Sequence, residues 1–370
     1  MLQRYARAEI DVYFFSYFIF MLIFCADKTL PMRKLIFLAI LATISMSVSA
    51  QRKAYDRLDM FEKEDPLLIT LKTDMKDILN KKPNDRYIYS DIKLNNGDST
   101  MEGKVNIRAR GKFRKGYCYV PPLKFDFDTT EGSLKGLGKI DMTVQCKVGK
   151  DFEQGLFKEY TTYRMYNVLH DKSQHVRLVK LTIEDVEGKR KPVEIPGFFI
   201  EDFDVTSKRN GCREVKISKL HTENTDRKQM TLVAMFEFMI GNTDWSVYAN
   251  HNIKLMQDTA DKTSKPYAVA YDFDYSGLVN AEYAVPDEIL GTQSVLERVY
   301  RGFPREVGEL REMANIFIAK KDAMFAEITN SKFLNDRSKK EMVNYLESFF
   351  KDLGDDRKLK INFIDNARTN

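Results

Sequence analysis

Between residues 83 and 202 the chain breaks into short apolar runs in which polar positions alternate with apolar ones, the period-two pattern of half-buried strands. Residues 87–92, 101–108 and 123–127 read this way, LKFDF at 123–127 most clearly. Asn95-Asn96-Gly97-Asp98 and the glycine-bearing stretch 132–138 supply turns between them. The period then changes: apolar residues at 152, 156, 160, 163 and 166 predict a helix over 152–169. Strand pattern returns at 176–184 and 197–202, and a helix is predicted from Asp226 to Ile240. A hairpin follows at 251–256 and 266–271, and the remaining C-terminal third reads as helical, ending in 339–353. The segment 51–82 is polar with scattered apolar residues and reads as a helix or an arm against the body. The pattern predicts an α+β protein of two lobes, a β-rich one over 51–205 and a mainly helical one over 206–370.

The start of the chain has a different pattern. Met32-Arg33-Lys34, the apolar run 35–44 and Val48-Ser49-Ala50 form a signal peptide over 32–50, which predicts an exported protein beginning at Gln51. Residues 1–31 carry a second apolar run, 12–26, shorter than a bilayer span. Two readings of 1–31 stay open: a mis-assigned upstream start, or an extra membrane-proximal segment. No stable membrane span is expected in the mature chain, and the expected location is the periplasm, cell envelope or exterior.

Composition changes little: 43% hydrophobic, 31% charged and a net charge of +5 over 370 residues are ordinary for a globular protein. No concentrated basic face is evident, so nucleic acid is not an expected partner. Removal of 1–50 leaves Cys118, Cys146 and Cys212, which in an oxidising compartment suggests one disulfide and one free thiol.

The candidate chemistry lies in YDFDYSGLVN, 271–280, where Asp272 and Asp274 end the core strand at 267–270. On an extended chain two positions apart they point to one side. Asp244 lies upstream, in the loop after the helix stop Gly241-Asn242, with Asn250 and Asn252 between. Each feature alone also fits a solvated turn or an Asx-turn. Together they follow the order that phosphoryl transfer from ATP needs: an aspartate to orient the acceptor hydroxyl, then an asparagine and aspartates as oxygen ligands for Mg²⁺. A sheet with one helix, then helices around a hairpin carrying acids, is also the order of protein-kinase-like folds.

At this point the chain resembles the CotH-type kinase-like proteins, and more closely an exported bacterial branch of them. The resemblance covers roughly residues 100–310. It is carried by RARGKFRKGYCYVPPLKFDF, KEYTTYRMYN, VRLVKLTIED, GFFIED, GNTDWSVYANHNIKL, YAVAYDFDYSG and ERVYRGF. It implies a two-lobed atypical protein-kinase-like fold, binding of ATP with Mg²⁺ or Mn²⁺, and a protein phospho-acceptor. Carried over, Asp244 is the loop aspartate, Asp272 the main metal ligand and Asp274 the second. Asn252 is the metal-binding asparagine, with Asn250 in reserve. Asn252 stands eight residues after Asp244, a wider spacing than in the usual kinase loop.

Lys124 and Arg110 are expected on the phosphates, Glu159 as the partner of Lys124, and Glu201 with Asp202 where adenine binds. No Gly-x-Gly-x-x-Gly loop occurs; the basic turn 108–115 stands in its place. The resemblance also implies that Cys118 pairs with Cys146 and leaves Cys212 free. The expected activity is an ATP- and metal-dependent phosphotransferase. The alternatives are a catalytically inactive envelope protein that binds or builds, and a metal-dependent hydrolase.

Overall fold

Alternation along LLITLKT is enough to make a strand where an arm was expected: β1, Leu67–Thr73, buries every second residue. The computed structural model describes residues 60–128, 134 and 136–368, all within one compact unit; the signal-peptide segment lies outside them. β1 pairs antiparallel with β2 (Ile88–Asn95), and β2 with β3 (Thr100–Ala109). The meander continues through β4 (Leu123–Asp126) and β5 (Lys139–Val144), which pairs with β7 (Val193–Ile200). β7 pairs with β6 (Val176–Asp185), and β6 runs parallel to β1, closing a seven-stranded barrel.

This overturns the expected two-lobed, protein-kinase-like architecture. β1 adds a strand that bonds on both sides, so the sheet has no free edge and closes on itself. The α+β content stands; the kinase-like arrangement does not.

Six α-helices and a small sheet supply the rest of what positions the site. After β3 comes α1 (Phe113–Tyr117), and between β5 and β6 the long α2 (Lys150–Leu169). After β7 follow α3 (Phe203–Arg209), β8 (Cys212–Val215), α4 (Arg227–Ile240), β9 (Ile253–Asp258) and β10 (Tyr267–Ala270). The expected hairpin is β9–β10, but β8 joins it to make a three-stranded sheet. α5 (Val307–Thr329) and α6 (Asp336–Leu353) close the C-terminal part.

Among the described residues there are two hydrophobic cores. One fills the barrel with Leu71, Val105, Ile107, Phe125, Met142 and Phe199. The other sets α2 and the outward side chains Leu178 and Phe198 against α4, the small sheet, α5 and α6. α2 is therefore buried nearly all round, which its mixed sequence did not announce. The candidate residues lie where this second core meets the barrel rim. No helix among the described residues is long and apolar enough to cross a membrane.

Candidate functional site

α4 begins at Asp226, whose side chain accepts from the Gln229 amide at 2.8 Å, and ends at Gly241 in the left-handed region. A side chain at 241 would collide with the Tyr345 hydroxyl, so glycine is required there. The chain then turns out into the Asp244 loop. Asn242 Oδ1 accepts from the Asp244 amide at 3.0 Å, an Asx-turn that fixes the aspartate's backbone. Arg301 donates to the carbonyls of Thr243 and Trp245, and Arg298 donates to the Met239 carbonyl at 3.0 Å. These two arginines of ERVYRGF hold the end of α4 and its loop in place.

The Asp244 carboxylate has two neighbours from the following turn. His251 Nε2 lies 2.8 Å from Oδ1, and Asn252 Nδ2 donates to Oδ2 at 3.1 Å and to the Asp244 carbonyl at 2.6 Å. Asn252, not Asn250, is thus the asparagine at the site; Asn250 donates instead to the Ile217 carbonyl at 3.2 Å. Asn252 is buried and its side-chain oxygen has no hydrogen-bond partner among the described residues.

Its carbonyl accepts from the Tyr271 amide at 3.1 Å across the open end of the β9–β10 hairpin, which brings Asp272 alongside. Asn250, Asn252 and Asp272 all take positive φ, at 49°, 52° and 64°. Asn and Asp tolerate this conformation better than most residues, and its concentration here marks a site where geometry overrides local preference. The Asp272 amide donates to the Tyr163 hydroxyl of α2 at 2.7 Å. The Asp272 carboxylate makes no hydrogen bond or ion pair among the described residues. Asp272 and Asp274 do come together, but through this left-handed turn rather than through strand periodicity.

Asp274 is buried, accepts from the Tyr283 hydroxyl at 2.9 Å, and lies 3.5 Å from Arg114. Arg114 also reaches Glu159 of α2 at 3.2 Å and the Val144 carbonyl at 3.0 Å. The disulfide Cys118–Cys146 ties the end of α1 to the β5–α2 connection and so holds Arg114 over the acids; Cys212 is buried and free. Burial raises the Glu159 carboxyl to about 8, Arg114 opposing and Asp274 and Asp272 reinforcing it. Burial and then Asp272 raise Asp274 to about 6.

The expected pairing of Lys124 with Glu159 is corrected. Lys124 lies 2.7 Å from Asp141, directly opposite it in the β4–β5 ladder, and Arg110 lies 3.4 Å from the same carboxylate. Burial would raise the Asp141 carboxyl, yet Arg110 and Lys124 together hold it below the usual value. Glu201 is committed elsewhere. It accepts from Thr206 Oγ1 and Arg209, both at 2.9 Å, beside the start of α3, which Asp202 caps through the Asp204 amide. Neither is placed as a free group for a base. Sequence reasoning missed Arg114 as the central cation, and missed Asp141, Tyr163, Tyr283 and His251.

The raised carboxyls make a pH prediction for the free protein. An acid whose pKa is higher folded than unfolded stabilises the fold below its unfolded pKa, and that stability is lost as pH climbs to the folded value. His170 and His175, lowered by burial, act oppositely, but only below their ordinary value of 6.5. Between pH 6.5 and 8, therefore, Glu159 should cost roughly 1 kcal/mol per pH unit, about 2 °C in melting temperature. Thermal melts of the wild type and Glu159→Gln across this window should diverge, the variant staying flatter. Parallel curves would show that Glu159 is already ionised.

No model of a known protein family matches the chain, and no curated protein matches it either.

Proposed function

We propose that this protein is an exported, metal-dependent phosphotransferase that moves phosphate from ATP to a protein or another hydroxyl acceptor. One observation carries the reading: Asp244, Asn252, Asp272 and Asp274, spread over thirty-one positions, lie at one end of the β9–β10 hairpin, where the Asp272 carboxylate is uncommitted and feels the charges of Arg110 and Arg114. The likeness to CotH-type proteins is one of site order and not of architecture.

The donors suit Mg²⁺ or Mn²⁺ that arrives with a nucleotide. Among the described residues no three acidic, histidine or cysteine side chains close on one point as a dedicated cage would. Mg²⁺ characteristically takes one or two carboxylates and fills its remaining positions with water and phosphate oxygens. The Asp272 carboxylate and the Asn252 side-chain oxygen are uncommitted, and Asp274 is the second acid. These three would hold the ion, which when bound supplies positive charge to the phosphoryl oxygens. Asp244, half-exposed and oriented by Asn252 and His251, is placed to orient an acceptor hydroxyl and take its proton. Arg110 and Lys124 on the barrel rim would bind the phosphates.

The test is thermal unfolding of residues 51–370 with Mn²⁺ and ATP, separately and together, for the wild type and Asp272→Asn. Ligand at about a hundred times its dissociation constant adds about 2.7 kcal/mol, a shift of several degrees. A shift that needs both ligands and disappears in the variant supports the reading. Absence of any shift in the wild type would leave an envelope-binding or structural role as the better account.

A further inference from the structure

We infer that Lys254 is a third phosphate-binding cation, supplied by the small sheet to a cradle that the barrel rim only half builds. This rests on the phosphotransferase reading and adds a residue to it. Lys254 lies on β9, two positions after Asn252, and is half-buried. Its ammonium lies 5.0 Å from the centre of the Phe203 ring and 5.1 Å from that of Tyr271. Among the described residues it donates no hydrogen bond and makes no ion pair, although a buried ammonium ordinarily secures acceptors.

Burial lowers the Lys254 ammonium from its ordinary value; of the charged groups that act on it, Asp141, Glu214 and Asp202 favour its cation and Arg110 opposes it. Asp141 is the shared centre. Lys124 and Arg110 contact it directly from the barrel rim, while Lys254 on β9 makes no ion pair with it and acts on it through its charge. One carboxylate thus organises three cations from β4, the loop after β3, and β9, and two charges remain uncompensated by it. The side chains of Asp141, Lys124 and Arg110 are each between 22% and 23% exposed, so the cluster opens to solvent.

Tyr271, whose ring flanks the Lys254 ammonium, precedes Asp272 and donates its amide to the Asn252 carbonyl at 3.1 Å, so the cluster lies beside the candidate metal ligands. The two aromatic rings shield the ammonium on its flanks and weaken its hydration, which strengthens its attraction to an anion. A polyphosphate chain fits this chemistry: several oxygens, high negative charge, and one end directed toward Asp272.

The test measures binding of Mn²⁺–ATP, inorganic tripolyphosphate and adenosine by calorimetry to the wild type, Lys254→Met and Lys254→Arg. The inference expects Lys254→Met to lose roughly 10- to 100-fold in affinity for both ATP and tripolyphosphate, with Lys254→Arg retaining most of it. The melting temperature without ligand should be nearly unchanged in both variants. Full tripolyphosphate affinity in Lys254→Met, with or without loss of adenosine binding, overturns the phosphate assignment while leaving the phosphotransferase reading intact. A wild type that binds neither ATP nor tripolyphosphate overturns both.

Discussion

Asp244→Asn should lower phosphoryl transfer by about 10²- to 10⁴-fold, the usual contribution of a positioned general base, while ATP and Mn²⁺ still stabilise the protein. The substitution keeps the shape of the side chain and removes its ability to accept a proton. Asp244 has 41% of its side chain open, so an acceptor can reach it. Its backbone is fixed independently by Asn242 and Arg301, and the loop should hold its course in the variant. The amide keeps one oxygen for Asn252 Nδ2 and presents its NH2 to His251 Nε2, which then accepts. Transfer is measured with γ-labelled ATP on the protein itself and on a panel of acceptor proteins, and binding by thermal shift. Transfer that survives Asp244→Asn would remove the base from this residue. Loss of nucleotide binding instead would assign Asp244 to the metal.

The local pattern revealed strands where one face is solvated and failed where pairing is remote. β2 and β3 alternate over most of their length, and both lie close to their expected limits, as does β4. KIDMTV of β5 buries its last three residues together, so its alternation fades and it was not read as a strand. That omission propagated into the site. Without β5 there is no register to set Asp141 opposite Lys124, and Glu159 was offered as the lysine's partner in its place. β1 was hidden for another reason. Its alternation and its antiparallel pairing with β2 are local, but its parallel pairing with β6, more than a hundred positions on, closes the barrel, and no local signal reports that. β8 is four residues at a sheet edge and carries two charges, too short to register as periodicity.

The acids themselves were legible because their order along the chain is preserved by one hairpin and one helix end, both marked by Gly241 and by the apolar runs. The cation that binds them together was not. Arg114 sits in a five-residue helix within a basic turn that reads equally well as a solvated tip. Only the folded chain shows why it turns inward: the disulfide anchors the helix end, and two buried acids attract it.

Arg114→Met should therefore be among the most destabilising single changes in the site. Its guanidinium is the ion-pair partner of Glu159 and Asp274, whose side chains are 2% and 7% exposed. Removing one member of a buried charge network typically costs about 3–5 kcal/mol, because the remaining charges are left without compensation. For a chain of this size that is a fall of roughly 6–15 °C in melting temperature. The loss should depend on pH in a definite direction. Without Arg114, which lowers both acids, Glu159 and Asp274 rise further and take up protons more readily. At pH 5.5 the variant should then recover part of its deficit, since neutral carboxyls need no counter-ion, and at pH 8 the deficit should be greatest. Adding Glu159→Gln to Arg114→Met should recover stability at pH 8 and little at pH 5.5, because the glutamine imitates the protonated acid. A deficit equal at both pH values would mean that Arg114 contributes packing through its contacts with Tyr283 and the Val144 carbonyl, and not charge.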